Sequence, residues 1–219
     1  MALRPTLRAL SDQLSARNLT FPFSNRRIVI TLCLLFGTIA QPSSAQRTQF
    51  DVLKGDAVVG KILASRSIAG DRTTYLMTSY SEFDIIWKQV VRSVANTEYV
   101  AGSLLSCHTN MSVNGSLRDS SHMSPIEDQL RCYVHPGRHF IMPGAVTWTT
   151  ARMYFEEPVD QLTIFVESVL KYCPLERIGP ATYRLTMPDE KVNDYVYLNG
   201  VLSEIRVDRS FFDLVFRRS

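Results

Sequence analysis

The sequence predicts an all-β fold, an antiparallel meander that forms a curved sheet or a partly open barrel. Short runs of alternating apolar and polar residues follow one another from residue 49 onward, as is typical of strands with one buried face. Turn dipeptides separate the runs, among them Gly55-Asp56, Asn114-Gly115 and Asn199-Gly200. A meander of about ten strands must hide its edges and bury one face, so we expect the sheet to curl.

The turns fix the order of the predicted strands. Gly55-Asp56 suits a type II′ turn, in which glycine takes the positive φ, and the two Asn-Gly pairs suit type I′ turns, which require positive φ at both central residues. Phe50 and Val52 then share one face of the first strand. The pattern predicts strands at residues 49–54, 58–67, 73–84, 85–99, 104–113, 129–134, 146–155, 183–187, 195–198, 201–207 and 211–216, with a return strand after Asn114-Gly115.

One segment is compatible with helix or strand. Pro158 suits a first helical turn, where its missing N–H is not needed, and apolar residues at helical spacing follow until Pro174. The favoured prediction is one short helix near residues 158–171. A strand through Ile164-Phe165-Val166 is the alternative.

Residues 1–45 have the features of a signal peptide with a long n-region. Arg26 and Arg27 precede a 13-residue apolar run, and Ser43 and Ala45 supply the small residues of a cleavage site. The run is shorter than the roughly 20 residues of a transmembrane helix. We therefore expect cleavage near Ala45 and a soluble periplasmic or extracellular protein without a transmembrane span. Residues 46–219 are expected to form a single β-rich domain.

The charge of the chain is concentrated in the segment expected to be removed. Five of the 24 basic residues but only one of the 21 acidic residues precede residue 46, which leaves 19 basic and 20 acidic residues after it. Nucleic-acid binding requires clustered Lys and Arg to displace counterions from phosphates. The sequence thus argues against a nucleic-acid partner, and we expect no cofactor.

Five short motifs along residues 50–200 resemble a family of secreted bacterial proteins known only as a domain of unknown function. The resemblance implies a β-rich fold and brings no activity or catalytic residue. The chain is also distantly similar to curved-sheet envelope proteins that cradle lipids. The motifs are Phe50-Asp51-Val52 with Gly60, Thr74-Tyr75, Asn114-Gly115, Tyr154-Phe155-Glu156-Glu157-Pro158 and Tyr195-Val196-Tyr197-Leu198-Asn199-Gly200.

Metal-ligating residue types occur without the spacing of a metal site. Cys132, His135 and His139 share a short stretch, and Cys107-His108 could approach them. The C-x₂-C and H-x₃-H pairs of structural zinc sites are incomplete here. We interpret these histidines as solvent-facing turn residues and assign no metal site.

Catalytic groups are equally incomplete. A hydrolase needs a nucleophile beside a positioned base, yet no serine lies in a Gly-x-Ser-x-Gly elbow, and Cys173 lies among apolar residues that indicate a buried thiol. Glu156 and Glu157 form a carboxylate pair near Asp160 and Glu167. Because neighbouring strand residues point to opposite faces, Glu157 is interpreted as a charge at the start of the following helix. We assign no catalytic residue.

The favoured functional hypothesis is a non-enzymatic binding module of the cell envelope, which binds either an apolar ligand such as a lipid or a partner protein or other envelope component. Aromatic strand residues could line a lipophilic cavity or form ordinary core. Trp87, Trp148, Tyr154 and Glu157 are the candidate ligand-binding residues. The alternative is a hydrolase of envelope polymer, which would place Glu157 or Glu167 in a cleft beside a histidine.

The cysteines pose a question of register. An oxidising compartment favours a bridge between Cys107 and Cys132. A hairpin at Asn114-Gly115 instead places Cys107 opposite His122, and Cys132 one strand further, beyond the roughly 7 Å that a disulfide tolerates between Cα atoms. We predict unbridged core thiols at Cys107, Cys132 and Cys173. A long loop centred near residues 119 and 120 would instead allow the bridge.

We predict that the exported form begins near Gln46, because signal peptidases cut after small residues such as Ser43 and Ala45. N-terminal sequencing of the secreted protein checks the cleavage site. An intact N-terminus recovered from a membrane fraction would contradict export as a processed protein.

Overall fold

The computed structural model describes residues 44–84, 86–208 and 213–219. The signal peptide is predicted for residues 1–45, and residues 1–43 of it lie outside this part of the chain. The described residues form one antiparallel sheet of fourteen strands and a single short helix. The prediction of an all-β fold is confirmed. The strands are β1 (Ser44–Lys54), β2 (Ala57–Ala69), β3 (Arg72–Asp84), β4 (Lys88–Val100), β5 (Ser103–Val113), β6 (Ser116–Ile126), β7 (Gln129–Val134), β8 (Arg138–Pro143), β9 (Thr163–Val166), β10 (Lys171–Gly179), β11 (Thr182–Thr186), β12 (Val192–Leu198), β13 (Val201–Val207) and β14 (Leu214–Arg218), and the helix is α1 (Thr150–Met153).

The strands follow the chain as a meander with one long crossover. The order in the sheet is β8-β7-β6-β5-β4-β3-β2-β1-β14-β13-β12-β11-β10-β9. The first strand thus pairs with the last in the middle of the sheet, for example Val52 opposite Phe216. Residues 144–162 carry the chain from β8 at one edge to β9 at the other. The two edge strands do not pair with each other, so the sheet is open.

The tight turns have the backbone geometry that their residues predict. Asn114 and Gly115 have φ values of 51° and 82°, and Asn199 and Gly200 have 53° and 76°. Both pairs therefore meet the type I′ requirement for two positive φ angles. Gly55 has a φ of 59°, in agreement with the first position of a type II′ turn.

Residues 144–170 form the plug segment, whose hydrogen bonds to distant strands show how strongly the sheet curls. The Tyr99 hydroxyl in β4 donates to Thr149 Oγ1 at 3.0 Å, and the Tyr197 hydroxyl in β12 donates to the Met153 carbonyl at 2.7 Å. Six strand spacings separate β4 from β12 in the sheet order, which would be about 29 Å in a flat sheet. Only a curled sheet lets both tyrosines contact the same short helix region.

Two apolar clusters fill the inner face of the sheet, and the plug segment contributes to both. Ile164 and Val166 pack in a cluster with β1, β2 and β10–β13, whereas Phe165 and Leu170 pack with β3–β7. Burial of this apolar area is the main stabilising contribution to the fold. The plug segment is therefore the part of the chain that joins the two halves of the core.

The helix prediction for residues 158–171 is wrong, and the strand alternative is correct. Ile164, Phe165 and Val166 belong to β9, and all three are buried because clusters lie on both sides of this strand. A strand that is buried on both faces has a continuous apolar run, and periodicity alone cannot distinguish such a strand from a buried helix. Leu162, at the supposed helical face, is 82% exposed. The helix lies instead at Thr150–Met153, where extended structure was predicted.

Several strand bounds also differ from the prediction. Trp87 was predicted within a strand from residue 85 to residue 99, but β4 begins at Lys88 and Trp87 lies in the preceding bend. Strands β8 and β10 were not predicted. Pro174 lies inside β10, where it pairs with Thr163 of the edge strand β9.

The cysteines are unbridged, as predicted, although the register differs by one residue. Cys107, Cys132 and Cys173 are free and buried. Cys107 lies opposite Met123, not His122, because a bulge between Met111 and Ser112 shifts the β5–β6 pairing. Cys132 pairs with Met123 from the other side. One strand therefore separates the two thiols, which is too far for a disulfide.

Gly60 marks a close approach between β2 and β3. A Cβ atom at this position would lie 2.2 Å from the Tyr80 carbonyl oxygen and 2.6 Å from the Ser81 Cα. Backbone atoms cannot move aside as a flexible side chain can. We predict that Gly60→Ala lowers the free energy of unfolding by about 2–3 kcal/mol, measured by urea denaturation.

Gly179 in β10 provides the matched control. A Cβ atom there would meet Thr182 at an ordinary 3.7 Å. Gly179→Ala should therefore change stability by less than about 0.5 kcal/mol. Equal effects of the two substitutions would show that the close approach at Gly60 is not a constraint on the fold.

Candidate functional site

A cavity of about 540 Å³ lies between the inner face of β3–β6 and the plug segment. It arises where inner positions of β4 and β5 carry the small side chains of Ser93, Ala95 and Thr109. Met77, Ala95 and Thr109 lie opposite one another on β3, β4 and β5, and Ser93 lies two residues before Ala95. The lining residues are Met77, Ser93, Val94, Ala95, Thr109, Asn110, Met111, Asp119, Thr150, Ala151, Tyr154, Glu167, Ser168, Val169, Met187, Pro188, Asp189 and Lys191.

Polar residues at the cavity border are exposed. Asp189 and Lys191, in the loop between β11 and β12, form an ion pair, and their side chains are 56% and 41% exposed. Asp119 on β6 is exposed as well. The Lys191 ammonium holds the pKa of Asp189 below its usual range. The cavity therefore has a charged border and an inner wall that combines apolar residues such as Met77 and Ala95 with polar residues such as Thr109 and the buried Glu167.

The Glu167 carboxylate is buried where the plug segment meets the sheet. Its Oε1 accepts hydrogen bonds from the Ala151 amide at 3.0 Å and the Thr97 hydroxyl at 3.4 Å. Its Oε2 accepts from the amide of Thr150 at 3.2 Å and from the hydroxyl of the same residue. A buried carboxylate is stabilised when several donors surround it. Here the donors come from the first turn of α1 and from β4.

Glu167 performs the capping role that the sequence suggested for Glu157. The N-cap residue Thr149 makes no side-chain cap bond, so the amides of Thr150 and Ala151 are satisfied by a carboxylate from the β9–β10 turn. Among the described residues no helix follows Glu157, which instead accepts a 2.8 Å hydrogen bond from the Tyr183 hydroxyl. The interpretation of Glu157 as a helix-start charge is wrong.

Glu156 joins the middle of the plug segment to β2. Its carboxylate pairs with Arg66 at 2.6 Å and with Arg152 at 2.8 Å. The two guanidinium groups also stack on aromatic rings, Arg66 on Phe155 and Arg152 on Trp148 at 4.3 Å. Stacked and bidentate arginines are well ordered, so this cluster fixes the segment that follows α1.

The structure separates the four predicted ligand-binding residues. Tyr154 lines the cavity. Trp148 packs beneath Arg152 at the edge of the first cluster, and Glu157 accepts a hydrogen bond from Tyr183. Trp87 is 65% exposed in the β3–β4 turn. A role in ligand binding stays a prediction for all four residues, and they do not converge on the cavity as a group.

Sequence reasoning missed most of the cavity wall. The inner positions of the neighbouring strands β3, β4 and β5 are occupied by Met77, Ala95, Thr109 and Met111. The alternation of apolar and polar residues along each strand indicates which side chains point inward. The sequence pattern does not indicate the cavity beside these side chains, because the cavity depends on where the plug segment lies.

Burial affects several ionisable groups near the plug segment. It raises the pKa of Tyr99, Tyr154 and Cys107, and the nearby Glu167 carboxylate raises each further. Burial together with the hydrogen bond to Glu157 raises the pKa of Tyr183 to about 12. These hydroxyls and the Cys107 thiol therefore stay protonated near neutral pH, and the thiol is a poor nucleophile.

The histidines predicted to lie in turns are distributed differently. His139 lies on β8, His108 on β5, and His135 in the turn between β7 and β8. Within the described residues, no three or more His, Cys, Asp or Glu side chains form a group that could hold a metal ion. No helix in this part of the chain has the length and hydropathy needed to cross a membrane.

Comparison with known proteins identifies a family and a structural relative. The model of the family described as domain of unknown function DUF6134 matches residues 50–219. Among solved structures, the chain is similar to the crystal structure of a β-barrel-like protein of domain of unknown function DUF1849 from Brucella abortus. That similarity has a TM-score of 0.48 at 9% identity and covers 79% of this chain and 95% of the other. No curated protein matches the chain.

We predict that Glu167→Gln lowers the free energy of unfolding by about 1.5–3 kcal/mol, the value of hydrogen bonds to a charged group. The NH2 group of the glutamine would replace one of the two carboxylate oxygens and would oppose the N–H group of either Thr150 or Ala151. Urea denaturation measures the change. Glu176→Gln, an exposed carboxylate on β10, is the control and should lie within about 0.5 kcal/mol of the wild type. Equal stability of both variants would refute the role assigned to Glu167.

Proposed function

The chain belongs to the DUF6134 family, and because this membership assigns no activity, we propose from the geometry that the protein is a binding module for a small amphipathic molecule. The cavity beside the plug segment is the observation that supports the proposal. Its volume of about 540 Å³ lies within the roughly 300–1,000 Å³ typical of small-molecule sites.

The cavity wall suggests how such a ligand would be oriented. Met77, Met111 and Met187 contribute flexible, polarisable side chains that adapt to irregular apolar groups. The exposed ion pair of Asp189 and Lys191 lies at the border. An apolar group would pack among the methionines, and a polar end group would face the border charges and water.

The proposal places the protein outside the cytoplasm. The predicted signal at residues 1–45 leads to the cell envelope, where lipids and their fragments are the abundant amphipathic molecules. A partner protein on the outer face is the other binding role to be considered. The cavity favours the small molecule, since a protein surface would not require internal space.

Hydrolysis of an envelope polymer finds less support. That hypothesis requires Glu157 or Glu167 beside a histidine in a cleft. The Glu167 carboxylate accepts its hydrogen bonds from Thr97, Thr150 and Ala151. The Glu157 carboxylate accepts from Tyr183. These hydrogen bonds give both carboxylates a structural role in the fold.

We predict that Ala95→Trp weakens binding of an amphipathic probe, because the added indole would occupy the space between Met77 and Thr109. Fluorescence titration of the full chain with N-phenyl-1-naphthylamine measures the affinity. Wild type should bind the probe at one site, and the variant should bind at least about tenfold more weakly, the effect of about 1.4 kcal/mol.

Asn96→Trp is the matched control, because residue 96 follows on the same strand and its side chain points to the outer face. This variant should bind the probe like the wild type. Thermal denaturation verifies that both variants are folded. Undiminished binding by folded Ala95→Trp, or no binding by the wild type, would contradict the proposed function.

A further inference from the structure

Three of the four histidines lie in one row across the outer face of the sheet. The pairing places His108 opposite His122, His122 opposite Tyr133, and Tyr133 opposite His139. The row therefore crosses β5, β6, β7 and β8 at a single level. Asn96 on β4 continues it on the other side, opposite His108.

The burial of their neighbours shows that His108 and His122 point outward. Cys107 and Thr109 on either side of His108 are buried, as are Ser121 and Met123 on either side of His122. Side chains alternate between the two faces of a strand. Both imidazoles are therefore exposed on the face opposite the cavity and the plug segment.

The two rings are close enough to share one metal ion. Their centroids lie 6.0 Å apart at an interplanar angle of 62°. Two imidazoles bound to the same zinc ion, with Zn–N distances of about 2.0–2.1 Å, have centroids about 5 Å apart. A rotamer adjustment of about 1 Å closes the difference, since directly opposite Cβ atoms lie only about 5 Å apart.

We propose that His108 and His122 form a surface site for a divalent transition-metal ion of the class that prefers imidazole, such as Zn²⁺. The two imidazoles supply two ligands, and water completes the coordination. The ion links β5 to β6 across their outer face. This site is independent of the ligand cavity, which lies on the inner face.

His139 does not belong to the pair. Its ring packs against Tyr133, with centroids 4.7 Å apart, and the β7 strand separates it from His122. His122 has a histidine directly opposite it on the neighbouring strand, whereas His139 has Tyr133. His139 is therefore the natural control for an exposed histidine on the same row.

Isothermal titration of the full chain with Zn²⁺ alone, in a non-chelating buffer, tests the site. Wild type should bind one ion at this site. His108→Gln and His122→Gln should each weaken binding by at least about tenfold, because a single imidazole lacks the effective concentration of its partner. The double variant should bind at least as weakly as either single variant, and His139→Gln should bind like the wild type.

Nuclear magnetic resonance provides a second readout that a folding defect would not imitate. Zinc should shift the ring Cε1–H signals of His108 and His122 and leave that of His139 in place. The Ala95→Trp variant should bind zinc like the wild type, whether or not the cavity binds its ligand. No zinc binding by the wild type, or undiminished binding by either single variant, would overturn the proposal. An equal loss with His139→Gln would overturn it as well.

Discussion

The Glu167 carboxylate lies inside the curled sheet, where it accepts hydrogen bonds from the first turn of α1 and from Thr97 on β4. The main-chain carbonyl of the same residue accepts from the Ser121 hydroxyl on β6. A carboxylate removed from water is costly unless donors replace the lost hydration. Most of these donors come from the plug segment itself, and Thr97 on β4 and Ser121 on β6 attach Glu167 to the inner face of the sheet. The position of one side chain thus fixes the segment that joins both halves of the core.

The cavity follows from the same arrangement. The plug segment fills the inner face near Tyr99 and Met123, whereas small residues such as Ser93 and Ala95 leave space beside it. A sheet with large inner side chains at these positions would close the gap. The inner face therefore combines a rigid packed region with an open one, which is the arrangement that a preformed binding site requires.

Local signals in the sequence were sufficient to predict the fold class. The alternation around Phe50 and the Asn114-Gly115 turn depend on neighbouring residues alone, and the structure reproduces both. Long-range features were beyond this approach. No local pattern predicts the bulge after Met111, which changes the residue opposite Cys107 from His122 to Met123. The plug segment contacts apolar clusters on two sides, so its apolar residues follow no single period. The sequence pattern was therefore insufficient to predict the position of α1 or of the cavity wall.

Methionine-methyl nuclear magnetic resonance of the full chain tests the central claim, that the space beside the plug segment receives an amphipathic molecule. With N-phenyl-1-naphthylamine bound, the account predicts nuclear Overhauser effects from the probe to the methyl groups of Met77, Met111 and Met187, which line the cavity. Met142 on the edge strand β8 serves as the internal reference and should show none. Contacts to Met142 alone, or to no methionine while the probe is bound, would contradict the account.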